Sequence, residues 1–265
     1  VAKCSYHGLT NATSAMTRSK MSYSEGVGPY MPGIFTMEFP YYSQLFKPVQ
    51  TSTDELVDIS LKRLELLFKQ ETSPRYTASI ILETVLGEGG YVPAPTAFLE
   101  GVRAICDKHG ILLIVDEIQA GFGRTGKMFA IEHSGVRPDL MTFAKGFANG
   151  YPISCLVGNK GVMDVMSPGT LGGTYAGNAV ACAAARATIE TFQNERILEN
   201  VAERSKQLFS GLEAIRQTSF GKVIEDIRGM GLMVGVQFAS GPGEPIAQRL
   251  SKACLERDML ILSTS

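Results

Sequence analysis

The chain has 265 residues, of which 45% are hydrophobic and 19% charged, and its formal net charge is −1. This composition is ordinary for a globular domain, and so small a net charge gives no electrostatic footprint for nucleic acid or an anionic membrane. No apolar run approaches the length that a membrane-spanning helix needs, so we expect a soluble intracellular protein, whether of the cytoplasm or of a mitochondrion.

The five cysteines and three histidines are scattered along the chain, with no C-x-x-C pair and no metal-ligand spacing. A disulfide framework or a metal site would need closer grouping. We therefore expect reduced thiols and no bound metal.

The first part of the chain, up to about residue 49, is rich in Gly, Pro, Ser and Tyr and predicts a long ordered loop. Residues 53–69 carry apolar side chains at helical spacing behind an acidic first turn, which predicts an amphipathic helix. Strands and helices then alternate. The predicted strands are 78–83, 111–116, 139–145 and 153–158, and the predicted helices between and after them are 95–110 and 176–193. This order predicts an α/β fold with a mostly parallel sheet and helices on both faces.

The pattern changes after residue 193. A long polar helix over 194–217 precedes two short strands within 223–238, and a further helix is predicted over 244–258. We therefore predict a large domain over 1–193, with its N-terminal part missing, and the start of a smaller α+β domain over 194–265.

The segment IVDEIQAGFGRTGKMF contains a G-x-G-x-x-G pattern at Gly121, Gly123 and Gly126, which is typical of a dinucleotide site. Such a site needs its first glycine directly after the strand and a helix that begins at the last glycine. Here four residues separate Asp116 from Gly121, and only a short helical stretch follows Gly126. The glycines are therefore better interpreted as a tight loop near a ligand.

Asp116 and Lys145 end two predicted strands, and Thr174 follows two glycines just before a predicted helix. Ligands bind outside the carboxyl ends of parallel strands, so the acid and the lysine would face one crevice. Pyridoxal phosphate needs a pyridinium partner, a Schiff-base lysine and a phosphate site, which makes this cofactor one hypothesis. By spacing alone, turn or helix caps and a solvated surface lysine stay open as ordinary roles.

Six segments resemble, in the same order, segments of the class III (ω-amino acid) pyridoxal-phosphate aminotransferases. Within that family the sequence is most similar to the 4-aminobutyrate branch. They are SYHGLT at 5–10, LETVLGEGGYVPAP at 82–95, IVDEIQAGFGRTGKMFA at 114–130, PDLMTFAKGFANGYPI at 138–153, GGTYAGNAVACAAA at 172–185 and IRGMGLMVGVQF at 227–238. The resemblance implies the large domain of a fold type I enzyme. It also implies a ping-pong transaminase that moves an amino group from an ω-amino acid, such as 4-aminobutyrate, to a 2-oxo acid such as 2-oxoglutarate.

The resemblance also assigns catalytic and cofactor-binding roles to matching positions. Lys145 would form the Schiff base and then move the substrate proton, which requires its pKa to be lowered by the cationic cofactor and by desolvation. Asp116 would pair with the pyridine nitrogen, and Gln119 would lie beside the cofactor's 3′-oxygen. Tyr6 would stack on the ring, and His7 follows it.

Three further roles follow from the same resemblance. Thr174 would reach the phosphate of the partner subunit across a homodimer interface. Glu88 matches a substrate-binding glutamate that pairs with a C-terminal arginine and releases it to bind a substrate carboxylate. Glu83 matches the glutamate of a Glu-Pro pair beneath the site, where Thr84 replaces the proline at a cost in loop rigidity only.

In the family, a Gly-Ser phosphate loop would precede residue 1 and the switch arginine would follow residue 265, so the chain resembles a partial copy. Three alternatives stay open. The first is an aminomutase or racemase with the same fold and cofactor, the second is a truncated non-catalytic homologue that acts as a binding partner, and the third is a dinucleotide-binding oxidoreductase.

Overall fold

The computed structural model describes residues 1–264. Within that range the α-helices are α1 (Asn11–Met16), α2 (Thr53–Gln70), α3 (Thr96–His109), α4 (Lys160–Met163), α5 (Ala179–Asn194), α6 (Ile197–Arg216) and α7 (Ile246–Leu255). The strands are β1 (Ser79–Glu83), β2 (Val85–Leu86), β3 (Val92–Pro93), β4 (Leu112–Asp116), β5 (Leu140–Phe143), β6 (Cys155–Gly158), β7 (Ile224–Met230) and β8 (Met233–Phe238).

The central sheet has four strands in the order β1–β4–β5–β6. The β1–β4 and β4–β5 pairs are parallel, and β6 pairs antiparallel with β5 at the edge. The predicted α/β fold with a mostly parallel sheet is therefore confirmed, with β6 as the exception. The register places Glu83 opposite Asp116, so β1 and β4 end side by side.

Helices α2 and α3 supply much of the buried core above this sheet. The Ser52 side chain accepts a hydrogen bond from the Glu55 N–H and so caps the start of α2, as the acidic first turn predicted. Helix α3 ends at Gly110, whose φ of +69° is the left-handed conformation that favours glycine. Its buried residues, which include Phe98 and Val102, pack with those of α2 and the sheet.

Two predicted boundaries differ from the structure near the expected site. The strand predicted over 139–145 ends at Phe143, and Lys145 instead begins a single 3₁₀ turn, Lys145–Phe147. The helix predicted from residue 176 begins at Ala179, because the Asn178 side chain accepts hydrogen bonds from the first N–H groups of α5.

Beyond α5 the strands β7 and β8 form a separate antiparallel hairpin. The hairpin contacts the earlier part of the chain, because Arg228 donates to the Gly90 carbonyl at 2.9 Å and the Leu232 N–H donates to the Arg124 carbonyl at 2.8 Å. The domain division at 193/194 falls just before the last residue of α5 and stays a prediction. No helix within residues 1–264 combines the length and the apolar character that crossing a membrane requires.

Candidate active site

A cavity of about 110 Å³ opens at the carboxyl ends of β1 and β4. This is the edge at which parallel sheets bind ligands. The lining residues are Tyr6, His7, Gly8, Glu83, Glu88, Asp116, Ile118, Gln119 and Lys145. Seven of the eight residues proposed from the sequence are thus brought together, and Thr174 is not among them.

The Asp116 carboxylate is held from two sides. Its Oδ2 lies 2.7 Å from His7 Nδ1, and its Oδ1 accepts a hydrogen bond from the Ile118 N–H at 3.0 Å. Both side chains are buried, since 6% of the Asp116 side chain and 1% of the His7 side chain are exposed. His7 therefore contacts the aspartate, and its Nε2 is buried without a partner among the described residues. A buried carboxylate with such support is fixed in direction before any ligand arrives.

Gln119 presents an unpaired acceptor to the cavity. Its Oε1 is buried and has no hydrogen-bond partner within residues 1–264. Gly87 leaves room for this amide, because a Cβ atom added there would lie 2.4 Å from Gln119 Oε1. A buried acceptor without a donor is unfavourable, so a ligand group that donates at this position would be stabilised.

Glu83 is buried and already bound by the backbone. Its Oε1 accepts from the Tyr6 N–H at 2.8 Å, and its Oε2 accepts from the Gly87 N–H at 2.9 Å. Burial raises the pKa of Glu83 to about 7 although both hydrogen bonds favour the ionised form. These contacts hold the segment that carries Tyr6, so the carboxylate has a local structural task.

Glu117 is fully buried on the other side of the β4 end. Its carboxylate accepts from the N–H groups of Ala130 and Ile131, at 3.0 and 2.8 Å, and from the Thr84 hydroxyl at 3.3 Å. Burial raises the pKa of Glu117 to about 7. The sequence analysis gave this residue no role. The only available signal was a second acid directly after Asp116 in a strand that is otherwise apolar.

Two residues of the long N-terminal loop, Lys20 and Tyr23, contact side chains that line the cavity. Lys20 Nζ lies 3.0 Å from Glu88 Oε2, and the Tyr23 hydroxyl donates to the same oxygen at 3.3 Å. The ring of Tyr23 also packs edge-on against Tyr6, with centroids 5.1 Å apart. The sequence analysis missed Lys20 and Tyr23, because a loop without periodicity does not reveal which of its residues turn inward.

Lys145 lines the cavity just beyond the end of β5, in a strained conformation. Its φ is +44°, a left-handed value that non-glycine residues rarely adopt and that is often found at functional sites. The side chain is exposed and pairs with no carboxylate among the described residues.

Thr174 lies away from the cavity in an exposed turn. It does not cap α5, since that place is taken by Asn178. Thr174 does not line the cavity of its own chain, and its contact with the cavity of a partner subunit stays a prediction.

The glycine-rich loop adopts none of the features of a dinucleotide site. No helix begins at Gly126, and the next helical turn is the 3₁₀ segment Ala130–His133. Gly123 instead borders a larger, more open groove of about 520 Å³ beside α5. That groove contains none of the predicted site residues, so its size does not make it the better candidate for the chemistry.

Known proteins share this sequence and this architecture. The family model for class-III aminotransferases matches residues 1–263. The 5-aminovalerate aminotransferase of Pseudomonas putida is 43% identical over 263 residues, which cover 97% of this chain and 59% of that protein. The 4-aminobutyrate aminotransferase of Escherichia coli is 38% identical over 264 residues, again with 97% and 59% covered.

A solved structure agrees with the fold. Taurine:2-oxoglutarate aminotransferase from Bifidobacterium kashiwanohense, in complex with pyridoxal phosphate and glutamate, has a TM-score of 0.89 and 29% identity. The match covers 99% of this chain and 61% of that one. The chain therefore spans about three-fifths of the length of the proteins that it matches.

Proposed function

The chain belongs to the class III aminotransferase family, and on that premise we propose that the protein is a pyridoxal-phosphate-dependent transaminase. It moves an amino group from an ω-amino acid, such as 4-aminobutyrate, to a 2-oxo acid such as 2-oxoglutarate by a ping-pong mechanism. The observation that carries this proposal is the placement of Lys145 and Asp116 at one cavity where parallel strands end. The names of two relatives, for 5-aminovalerate and 4-aminobutyrate, support an ω-amino donor.

The cavity residues fit pyridoxal phosphate. A buried carboxylate is available for the pyridine nitrogen at Asp116, and the unpaired Gln119 Oε1 is an acceptor for a donor on the ring. Tyr6 offers an aromatic ring, and Lys145 offers a primary amine just beyond the end of β5. When bound, the cofactor supplies an electron sink for the carbanion that forms when the substrate loses a proton.

Asp116 would hold the pyridine nitrogen. His7 and the Ile118 N–H fix the direction of its carboxylate, and burial would strengthen the attraction of that group for a cationic ring. Lys145 would hold the cofactor through its amine and would also carry the substrate proton, because the amine stands on a flexible side chain that lines the cavity. The backbone of Lys145 is in a strained conformation of the kind often found at functional sites.

The two glutamates of the cavity take different parts in this proposal. Glu88 lines the cavity and pairs with Lys20 while both side chains stay partly exposed, and we assign Glu88 to substrate selection. Glu83, with both oxygens bound by backbone N–H groups, supports the substrate side of the site by holding Tyr6 and Gly87. Tyr23 packs edge-on against Tyr6.

Thr174 serves the cavity of a partner subunit in a homodimer. It is exposed and does not reach the cavity of its own chain. Large apolar side chains stand exposed around it, with Leu171, Tyr175 and Val180 at 70%, 86% and 61%. Contiguous exposed apolar surface is typical of a protein interface. We also assign 1–193 to a large domain and 194–265 to a small one, because β7 and β8 form their own sheet.

Lys145 provides the direct test in the full protein. We expect borohydride reduction with pyridoxal phosphate to label Lys145, and Lys145→Ala to abolish amino transfer to 2-oxoglutarate. Lys206→Ala, which alters an exposed lysine of α6, is the matched control and should transfer as wild type does. Transfer at the wild-type rate by Lys145→Ala would refute the proposal. Conversion of the donor without an oxo-acid acceptor would instead indicate an aminomutase or racemase.

A further inference from the structure

The ends of β1 and β4 carry polar side chains on both faces of the sheet. Successive residues of a strand point to opposite faces. Glu83 and Asp116 lie opposite each other in the register and line the cavity. The next residues, Thr84 and Glu117, do not line it and contact each other instead, through a hydroxyl-to-carboxylate hydrogen bond of 3.3 Å.

This second pair is almost completely removed from water. Thr84 is 3% exposed and Glu117 is 0% exposed. No cation is within ion-pairing distance of Glu117 among the described residues, so hydrogen bonds alone compensate its burial. Both oxygens of a carboxylate accept hydrogen bonds, whereas the side-chain amide of glutamine would place its NH₂ group against a backbone N–H donor.

Glu117 also closes the loop that carries Gln119. Its Oε2 accepts from the Ala130 N–H at 3.0 Å, and its Oε1 accepts from the Ile131 N–H at 2.8 Å. These two amides lie at the far end of the loop 118–129, while Glu117 lies at its beginning. The Glu117 carboxylate at the end of β4 is therefore hydrogen-bonded both to Thr84 at the end of β1 and to Ala130 and Ile131 just after the loop.

We propose that Thr84 and Glu117 form a buried clamp beneath the cavity, as positioning residues that fix Asp116 and Gln119 for the cofactor. The part that concerns the cofactor rests on the proposed function. In the family that the sequence resembles, proline stands at the position of Thr84, and proline has no hydroxyl to donate. Threonine in place of this proline therefore adds a hydrogen bond to Glu117, where the sequence analysis expected only a loss of loop rigidity.

Removing the hydroxyl while keeping the side-chain shape tests the clamp in the full protein. Thr84→Val should increase amide hydrogen exchange at Ala130 and Ile131 about fivefold without cofactor, and should weaken pyridoxal-phosphate binding about fivefold. Thr84→Ser restores the donor and should recover both values. Glu117→Gln should increase the amide exchange and decrease the pyridoxal-phosphate affinity by more than Thr84→Val does.

Thr188→Val is the matched control, because that hydroxyl is also hydrogen-bonded but lies on α5. Wild-type exchange and affinity in Thr84→Val would overturn the proposal, and so would equal losses in Thr84→Val and Thr84→Ser. If wild type itself bound no pyridoxal phosphate, the proposed function would fail. The exchange of the Ala130 and Ile131 amides would still decide whether the clamp exists.

Discussion

Two parts of the cavity lining are built very differently. The wall at the ends of β1 and β4 is buried: Glu83 and Asp116 line it, Glu117 follows Asp116 without lining the cavity, and each accepts at least two hydrogen bonds or close polar contacts. Beyond the end of β5 the lining is formed by an exposed Lys145 in a strained conformation, and Thr174 lies outside the cavity altogether. The acidic wall is therefore preorganised within residues 1–264, whereas the Lys145 side is exposed.

Loss of the Asp116 charge, which belongs to the preorganised wall, should have the largest effect on amino transfer. Asp116→Asn keeps the size of the side chain but removes the charge that we assign to the pyridine nitrogen. We expect amino transfer to fall on the order of 1,000-fold, the upper range for loss of one preorganised electrostatic contact. Steady-state kinetics on the full protein measure it, with the exposed Asp164→Asn as control. A loss of less than tenfold would place the main electrostatic contribution elsewhere.

Removal of the Glu83 carboxylate should destabilise the preorganised wall. Glu83→Ala leaves the Tyr6 and Gly87 N–H groups buried without their acceptor. We expect the free energy of unfolding to decrease by about 2–3 kcal/mol, as measured by urea denaturation. Glu203→Ala, an exposed position on α6, should change it little. Equal stability of the two variants would contradict the structural role given to Glu83.

The buried wall should also respond to pH. Burial raises the pKa of Glu83 and of Glu117 from 4.5 to about 7, so the folded state binds more protons than the unfolded state between these values. The free energy of unfolding should therefore fall as pH rises through this window, by roughly 1–3 kcal/mol for each group, and level off above it. Urea denaturation across the window measures the slope, which Glu83→Gln should reduce. An unchanged slope in that variant would exclude Glu83 as its source.

A smaller change at Gly87 separates cofactor binding from folding. The new methyl group of Gly87→Ala would lie 2.4 Å from Gln119 Oε1, and the amide at the end of that flexible side chain would have to move. We expect pyridoxal-phosphate affinity to fall roughly tenfold with a modest loss of stability. Gly161→Ala on α4 has open space and should leave affinity unchanged. Equal affinities for the two variants would show that Gln119 does not contact the cofactor.

The smallest effect on folding is expected at Thr174, outside the cavity. Thr174→Ala alters an exposed side chain and should change the free energy of unfolding by no more than about 0.5 kcal/mol. In the proposed homodimer the same variant should bind pyridoxal phosphate several-fold more weakly, because the hydroxyl would serve the partner's cavity. Calorimetric unfolding and a cofactor titration of one preparation separate the two quantities. Unchanged affinity would remove Thr174 from the site.

Local pattern was sufficient for most elements of the chain. The amphipathic helix 53–69 and the apolar strand 111–116 were each placed within one residue at either end, since burial imposes a period that the sequence displays. The strand that was to end at Lys145 was placed less well. Its last residues leave the sheet for a 3₁₀ turn, which is set by packing around the cavity and leaves no periodic signal.

Strand ends and a family's segments are local features of the chain, and they were enough to predict the α/β fold and seven of the nine residues that line the cavity. How those residues are held follows from contacts that local features do not reveal. The contacts of Asp116 with His7, Glu83 with Tyr6 and Glu117 with Thr84 join different segments of the chain. Such pairs are selected by the need to satisfy buried polar groups, and that need exists only after the chain has folded.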